Sequence, residues 1–493
     1  MRVIPQLDAY PRLVSVVQTP IGKISAICAF AFLLLLNGEA LYLELAAIVA
    51  ILSFFPKYRR PLISAATLYW LLIHPNWIRQ GLIRRVASDE GVGPGWGLVL
   101  GAAVVMCVVF GGLGVLLHVV RARPGHFAGR RPVLVLVGSF LVLLAVAGTL
   151  QLHGWPRIAL WMLLALSGPY LWFFAYALGD YASKAPDPYR IQFGTFFPFW
   201  VGSGDSSTPI GKGAAYLRKV EAHSAKDLAV VQLKAVKLLM WLFVLHLLLL
   251  VFRAVVFGDL PPAATEFLRT HDFRLLHLGV PKLETAFDQT AAGHAPPLHL
   301  LWASVVAHFL EAILAVPLMG NMVVACSRMA GFNLLRNTYK PLYATTIADF
   351  WNRFYFYFKE LLVEFFFFPT YVRYFKKHRR LRLAAATFAA ATLGNMVYHF
   401  CRDIHYVFEL GFWGALTGFQ VYAFYAMVLG ASIAISQLRG KRAPESLPFH
   451  RRVMASVGVI GFYCLLEIFN FEGRSHSLRT HLAFFGNLLP LAR

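Results

Sequence analysis

The sequence predicts an all-α, polytopic membrane protein. Hydrophobic residues make up 58% of the 493 positions, charged residues only 14%, and the mean hydropathy is +0.61. A soluble core does not need so much apolar sequence, whereas each membrane helix needs about 20 mostly apolar residues to cross the hydrocarbon layer. Lysines and arginines fall in short clusters between the apolar runs, which is typical of the cytoplasmic flanks of membrane helices.

The apolar runs predict about ten or eleven membrane-spanning helices. They begin at Ile24, Ala40, Leu62, Trp96, Pro132, Ile158, Leu233, Leu300, Leu383, Trp413 and Val453. The first two runs are short and are joined by residues 37–39, so they are predicted to form a tight helical hairpin. Pro75 interrupts the third run, which favours a segment that only dips into the bilayer.

The remaining composition excludes several classes of protein. The net charge of +22 does not indicate nucleic-acid binding, because the cations are scattered in clusters and no recognisable reader motif is present. The cysteines stand singly in apolar segments and predict small core residues, with neither a disulfide framework nor a metal site. They are Cys28, Cys107, Cys326, Cys401 and Cys464.

One ionisable side chain lies deep in a long apolar run, and it is His399. An ionisable group at membrane depth is a functional hypothesis by default, although a histidine can also be structural and bond a neighbouring helix. Asp403 follows by four residues and therefore shares a helical face with His399. Asp403 either orients the imidazole or, with Arg402 and His405, marks the aqueous end of the helix. No further ligand set indicates a metal.

An aromatic and charged box lies upstream of this histidine. It reads Asp349-Phe350-Trp351-Asn352-Arg353-Phe354-Tyr355, and His399 follows its last residue by 44 positions. This pairing resembles the membrane-bound O-acyltransferase family, and within it the bacterial branch. The resemblance continues after the box in the aromatic and arginine-containing stretch 364–374. A weaker similarity lies upstream, in Thr195-Phe-Phe-Pro and residues 209–212, so the resemblance covers residues 192–437, about half of the chain.

The resemblance implies a central chamber in which an acyl group passes from a thioester donor to a hydroxyl of a lipid, glycan or small molecule. It implies that His399 is the general base, that Tyr355 and Asn352 share the catalytic site, and that other residues contact substrate. Those contact residues are Trp351, Arg353, Asp403 and Lys212. A neutral imidazole suits proton abstraction, and a low-dielectric surrounding favours its neutral form.

The resemblance also implies partners and an organisation along the chain. The donor is expected to be acyl-CoA or an acyl-carrier protein, with no permanently bound cofactor. The other partners are membrane lipids and the hydroxyl acceptor, with no nucleic acid. The expected location is the bacterial cytoplasmic membrane. We expect N-terminal membrane helices over 1–178, the catalytic core over 179–437, and a C-terminal helix and tail over 438–493.

Two features keep other interpretations open. The family commonly carries His, Asn or Asp at the last box position, where this chain has Tyr355. Tyr355 either hydrogen-bonds the acceptor, leaves the role to Asn352, or marks a catalytically silent, lipid-binding homologue. Buried acidic residues also mark solute paths in transporters and channels, although no internal repeat supports that class. The acidic residues in question are Glu39, Glu44 and Glu311.

The last motif is a basic run before the histidine. It comprises Arg373, Lys376, Lys377, Arg379, Arg380 and Arg382. Such a run is typical of a lipid-headgroup anchor. The family resemblance implies that the run also attracts the phosphates of the acyl donor.

Overall fold

A computed structural model shows an all-helical protein. It describes residues 4–38, 43–59, 61–63, 65–66, 80–182, 212–271, 276–439, 448–470 and 476–489. Within these ranges there is no β-strand, and the extended backbone forms one isolated antiparallel bridge, between Glu221 and Phe332. The predicted all-α fold class is confirmed for the described residues.

Five of the described helices are long and apolar enough to span a membrane, and the count rises to seven if each of two bent helix pairs is one span. The five are Trp96–Ala122, Pro132–Thr149, Ala225–Phe257, Leu298–Met329 and Gln420–Leu438; the bent pairs are Pro11–Gln18 with Pro20–Leu36 and Gly154–Ser167 with Leu171–Asp180. A polytopic membrane protein is therefore supported. The count of ten or eleven stays a prediction. The run at Leu62 lies mostly outside the described residues, and the runs at Ala40, Leu383 and Val453 form helices that are not among these candidate spans.

The chain divides into two compact units. Unit 1 comprises Met1–Leu239, Val323–Arg336 and Val397–Thr417, and unit 2 comprises Met240–Met322, Asn337–Met396 and Gly418–Arg493. Segments of the two units alternate along the sequence. The predicted division into 1–178, 179–437 and 438–493 follows chain order instead, and it stays a prediction.

Unit 1 contains most of the N-terminal helices. Besides those already given they are Leu43–Phe54, Gln80–Asp89, Phe127–Arg130, Leu171–Ala182, Gly213–Val220 and, after the histidine, Ile404–Gly418. Arg157, in the Gly154–Ser167 helix, contacts two other segments of unit 1. It pairs with Glu90 at 2.6 Å, and its guanidinium lies 5.6 Å from the centroid of the Phe408 ring. Trp161 packs edge-on against the same ring at 5.3 Å. These contacts hold the segment after the histidine on the N-terminal helices.

Unit 2 contains most of the C-terminal half. Its further α-helices are Pro262–Thr270, Leu283–Ala291, Ile347–Phe354, Phe356–Leu362, Phe368–Arg373, Arg379–Phe388, Phe449–Glu467 and Leu478–Asn487. The Asn395–Arg402 helix, which carries His399 and is called the histidine helix below, begins in unit 2 and ends in unit 1. Arg253 pairs with Glu311 at 2.6 Å, so this acidic residue, which the alternative transporter interpretation would place on a solute path, has a basic partner.

Two π-helical segments interrupt the helices of unit 2. They are Val363–Phe367 and Ala389–Gly394, and they pack against each other. A Cβ on Gly394 would lie 2.6 Å from the Phe366 ring, so only glycine permits this approach. Thr392 donates a hydrogen bond to the Ala426 carbonyl at 3.0 Å. A π segment widens the helix and is frequent at functional sites, and here one directly precedes the histidine helix.

Candidate functional site

The imidazole of His399 is buried, with 5% of the residue exposed. The run 383–391 before it is rich in alanine, the strongest helix former. Tyr398 stacks on Trp172 within unit 1, with ring centroids 5.9 Å apart, and Tyr398 contacts the His399 ring edge-on at 5.3 Å. The aromatic neighbours thus fix the backbone on which the imidazole stands. The predicted burial of His399 is confirmed.

Asp403 is buried one turn after His399, with 6% exposed. Its backbone N–H donates to the His399 carbonyl at 2.9 Å and completes the last turn of the histidine helix. Its carboxylate accepts two hydrogen bonds from Arg402, one of them from Nη2 at 3.0 Å. His405 is exposed and packs on Tyr406 at 4.1 Å. The cluster therefore contains one buried imidazole, an ion pair of the buried Asp403 with the half-buried Arg402, and one exposed imidazole.

The box forms its own short helix in unit 2, Ile347–Phe354, called the box helix below. Thr346 caps its N-terminus by accepting a hydrogen bond from the Asp349 N–H at 3.0 Å. Arg353 donates to Asp349 at 2.8 Å, one turn apart on the same face. These local interactions explain why the sequence starts a helix here, and they engage both charged residues of the box with each other.

The aromatic residues of the box point into the core of unit 2. Phe350, Trp351 and Phe354 are each 6% exposed or less. Phe350 stacks on Tyr463 with ring centroids 4.0 Å apart, and the Tyr463 hydroxyl donates to the carbonyl of Ile347 at 3.0 Å. Packing in the core of unit 2 therefore explains why Phe350, Trp351 and Phe354 are large aromatic residues.

The other two predicted box residues have different environments. Asn352 is exposed on the face opposite the core, and Tyr355 is half-buried at the end of the box helix. Tyr355 leaves the helical region, with φ −127° and ψ 61°, and separates the box helix from Phe356–Leu362. Asn352 and Tyr355 thus do not continue one helical face, because the helix ends between them.

A buried polar network supports this break, and sequence reasoning missed it. The Phe356 N–H donates to the backbone carbonyl of Asn337 at 3.1 Å, and Asn321 accepts from the Asn337 N–H at 3.0 Å. Thr338 donates to the Phe354 carbonyl at 2.8 Å. The only available signal was Asn321 itself, a polar residue in an apolar run.

Lys212 lies in unit 1, immediately before the Gly213–Val220 helix. It is half-buried, and its ammonium lies 5.6 Å from the centroid of the Tyr216 ring. The predicted Phe-Phe-Pro element and residues 209–211 fall outside the described residues. The structure thus places Trp351, Asn352, Arg353 and Tyr355 in unit 2 and the remaining site residues in unit 1, namely His399, Asp403 and Lys212.

Within the described residues, no three His, Cys, Asp or Glu side chains come together as metal ligands. The His399 side chain suits proton transfer, because a buried imidazole can accept a proton and return it. Neither a comparison with protein-family models nor a search of the curated proteins finds a match for this chain. The likeness to the membrane-bound O-acyltransferases therefore depends on the motif residues themselves.

Proposed function

We propose that the protein is a membrane O-acyltransferase of the bacterial cytoplasmic membrane, with His399 as general base. It transfers an acyl group from acyl-CoA or an acyl-carrier protein to a hydroxyl of a lipid, glycan or small molecule. The observation that carries the proposal is the buried imidazole of His399, which follows the apolar run 383–398 and lies one turn before Asp403 of the Arg402–Asp403 ion pair. A polar group is costly to bury in such surroundings, which favours a role in chemistry.

In the proposed reaction, the neutral imidazole takes the proton of the acceptor hydroxyl while its oxygen attacks the thioester carbon. The carbon–sulfur bond then breaks, and the imidazolium returns the proton to the leaving thiolate. Asn352 and Tyr355 contact the acceptor in this proposal, while Trp351, Arg353, Asp403 and Lys212 position the substrates. The Arg402 pair supports an indirect role for Asp403, since its carboxylate already accepts from a guanidinium.

The test is an acyl-transfer assay on purified protein with radiolabelled acyl-CoA and candidate hydroxyl acceptors. We expect His399→Ala to lower the rate by about 10²–10⁴-fold, the usual contribution of a general base. The matched control is His405→Ala, an exposed histidine six residues further along the same stretch, which should keep the wild-type rate. Thermal unfolding of both variants separates loss of chemistry from loss of fold.

Four results would contradict the proposal. A folded His399→Ala variant with wild-type transfer would remove the general base. An equal loss in His405→Ala would show that any histidine change in this stretch disturbs the enzyme. A wild-type protein that binds lipid but transfers no acyl group from either donor class would indicate the catalytically silent homologue, and solute flux in liposomes without transfer would indicate a transporter.

A further inference from the structure

A strongly basic turn joins the Phe368–Arg373 helix to the Arg379–Phe388 helix in unit 2. This segment, residues 373–382, is called the basic turn below. It carries six lysines and arginines, and between Glu364 and Asp403 the chain has no acidic residue. Residues 372–381 are all exposed. The turn therefore presents positive charge that no neighbouring carboxylate in the sequence offsets.

One of the six cations, Arg382, makes contacts that stabilise the turn itself. Arg382 donates to the Tyr371 carbonyl, and its guanidinium lies 3.9 Å from the centroid of the Tyr371 ring. The other five have no ion-pair partner among the described residues; they are Arg373, Lys376, Lys377, Arg379 and Arg380. By contrast, the exposed Arg85, Arg269 and Lys282 each pair with a carboxylate within 2.8 Å.

Large apolar side chains are exposed among these cations. Val372, Tyr374, Phe375 and Leu381 are each 47–57% exposed. Phe375 adopts the left-handed conformation, with φ +51°, a rare and strained conformation for a bulky side chain. His378, Arg379, Arg380 and Leu381 line a shallow, open depression of about 500 Å³. The turn thus combines exposed cations with exposed apolar groups.

We propose that the basic turn is a binding site for anionic phospholipid headgroups. The five exposed cations contact lipid phosphates, and the exposed aromatic and aliphatic side chains enter the boundary between headgroups and acyl chains. Charge complementarity identifies the headgroup, because anionic lipids attract clustered lysines and arginines next to a membrane helix. The apolar groups favour a lipid over a soluble phosphate compound, since aromatic residues are enriched at the membrane–water interface.

The test counts lipids that stay bound to the purified protein. Native mass spectrometry compares retained phosphatidylglycerol with retained phosphatidylcholine after extraction from mixed bilayers of the two. The test variant is the triple substitution K377Q/R379Q/R380Q. Its matched control, R85Q/R269Q/K282Q, removes the same charge from exposed cations that already pair with carboxylates.

We expect the wild-type protein and the control variant to prefer phosphatidylglycerol and the test variant to lose that preference. Each cation near an anionic surface contributes about fivefold in binding, so three substitutions should lower the preference by well over tenfold. A conservative variant, R379K/R380K, keeps the charge and should keep the preference. This variant separates the loss of charge from damage to the fold.

The proposal is overturned if the test variant keeps its preference for phosphatidylglycerol or if both triple variants lose it equally. If coenzyme A displaces the retained lipid at a concentration at which inorganic phosphate does not, the basic turn would be assigned to a soluble donor. Retention of an acidic carrier protein in place of lipid would assign it to a protein partner. The readout is lipid retention, so the result does not depend on acyl transfer.

Discussion

A close contact between two glycines of unit 1 gives the sharpest test of the fold around the candidate site. Gly148 lies near the end of the Pro132–Thr149 helix, against the Ile404–Gly418 helix that follows the histidine helix. A Cβ built on Gly148 would lie 2.5 Å from a methyl of Val407 and 2.8 Å from the backbone nitrogen of Phe412. Gly411 has φ +70° and allows this close approach by bending the second helix.

We expect Gly148→Ala to destabilise the protein by about 2 kcal/mol. Overpacking a tight contact costs about 1–3 kcal/mol. The Phe412 nitrogen is backbone and cannot rotate away, so the upper part of that range applies. The gain from replacing glycine by alanine in a helix, about 1 kcal/mol, offsets part of the cost.

The matched control is Gly138→Ala in the same helix. A Cβ on Gly138 meets no atom within 4 Å, so this variant should be unchanged or up to about 1 kcal/mol more stable. Thermal unfolding of the purified variants measures the difference, at roughly 2–4 °C for each kcal/mol in a large domain. Equal melting temperatures for the two variants, or a higher one for Gly148→Ala, would show that Gly148 does not lie in close contact with the Phe412 backbone.

The same substitution should also lower acyl transfer if the proposed function is correct. Phe412 packs edge-on against Phe400 with ring centroids 5.9 Å apart, and Phe400 is adjacent to His399 in the sequence. A shift of Phe412 is therefore passed to the turn that carries the imidazole. The Gly138→Ala variant should keep its transfer rate.

Three further predictions test other parts of the structure. Tyr463→Phe keeps the ring but removes the hydrogen bond to the half-buried carbonyl of Ile347, so thermal unfolding should show a loss of about 0.5–1.5 kcal/mol. Hydrogen bonds from Arg157 and from a backbone N–H lower the pKa of the Glu90 carboxyl from its ordinary value of 4.5. The contribution of Glu90 to folding stability is therefore fully present above its unfolded-state pKa and is lost as the pH falls through its folded-state pKa. Melting temperatures measured across that acidic range should therefore fall more steeply in the wild type than in Glu90→Gln. Trp351→Ala should cost about 3–5 kcal/mol because the side chain is buried, whereas Asn352→Ala should stay within about 0.5 kcal/mol of the wild type and lower acyl transfer instead.

The helical class and the burial of His399 could be predicted because both follow from local sequence. Long apolar runs with basic flanks can satisfy their backbone only as helices in a membrane. The polyalanine run before His399 likewise favours a helix whatever surrounds it. These properties depend on composition and on short-range spacing, which a single sequence shows directly.

The interruptions of the helices could not be predicted, because distant residues determine them. No glycine or proline marks the break at Tyr355, which Asn337 and Thr338 stabilise through hydrogen bonds. Conversely, Pro317 lies inside the Leu298–Met329 helix without ending it. The left-handed conformation of Phe375 has no sequence signal either, since bulky residues rarely adopt it.

The structure sorts the residues of the box by what each one contacts. Phe350, Trp351 and Phe354 are buried, and Asp349 pairs with Arg353 within the box helix, so these five have partners that explain them without a substrate. Asn352 is the box residue with an exposed polar side chain. Packing therefore accounts for these three aromatic residues of the motif. Variants of Asn352, Tyr355 and His399 therefore test the chemistry, since the packing of the box would be the same in a catalytically silent protein.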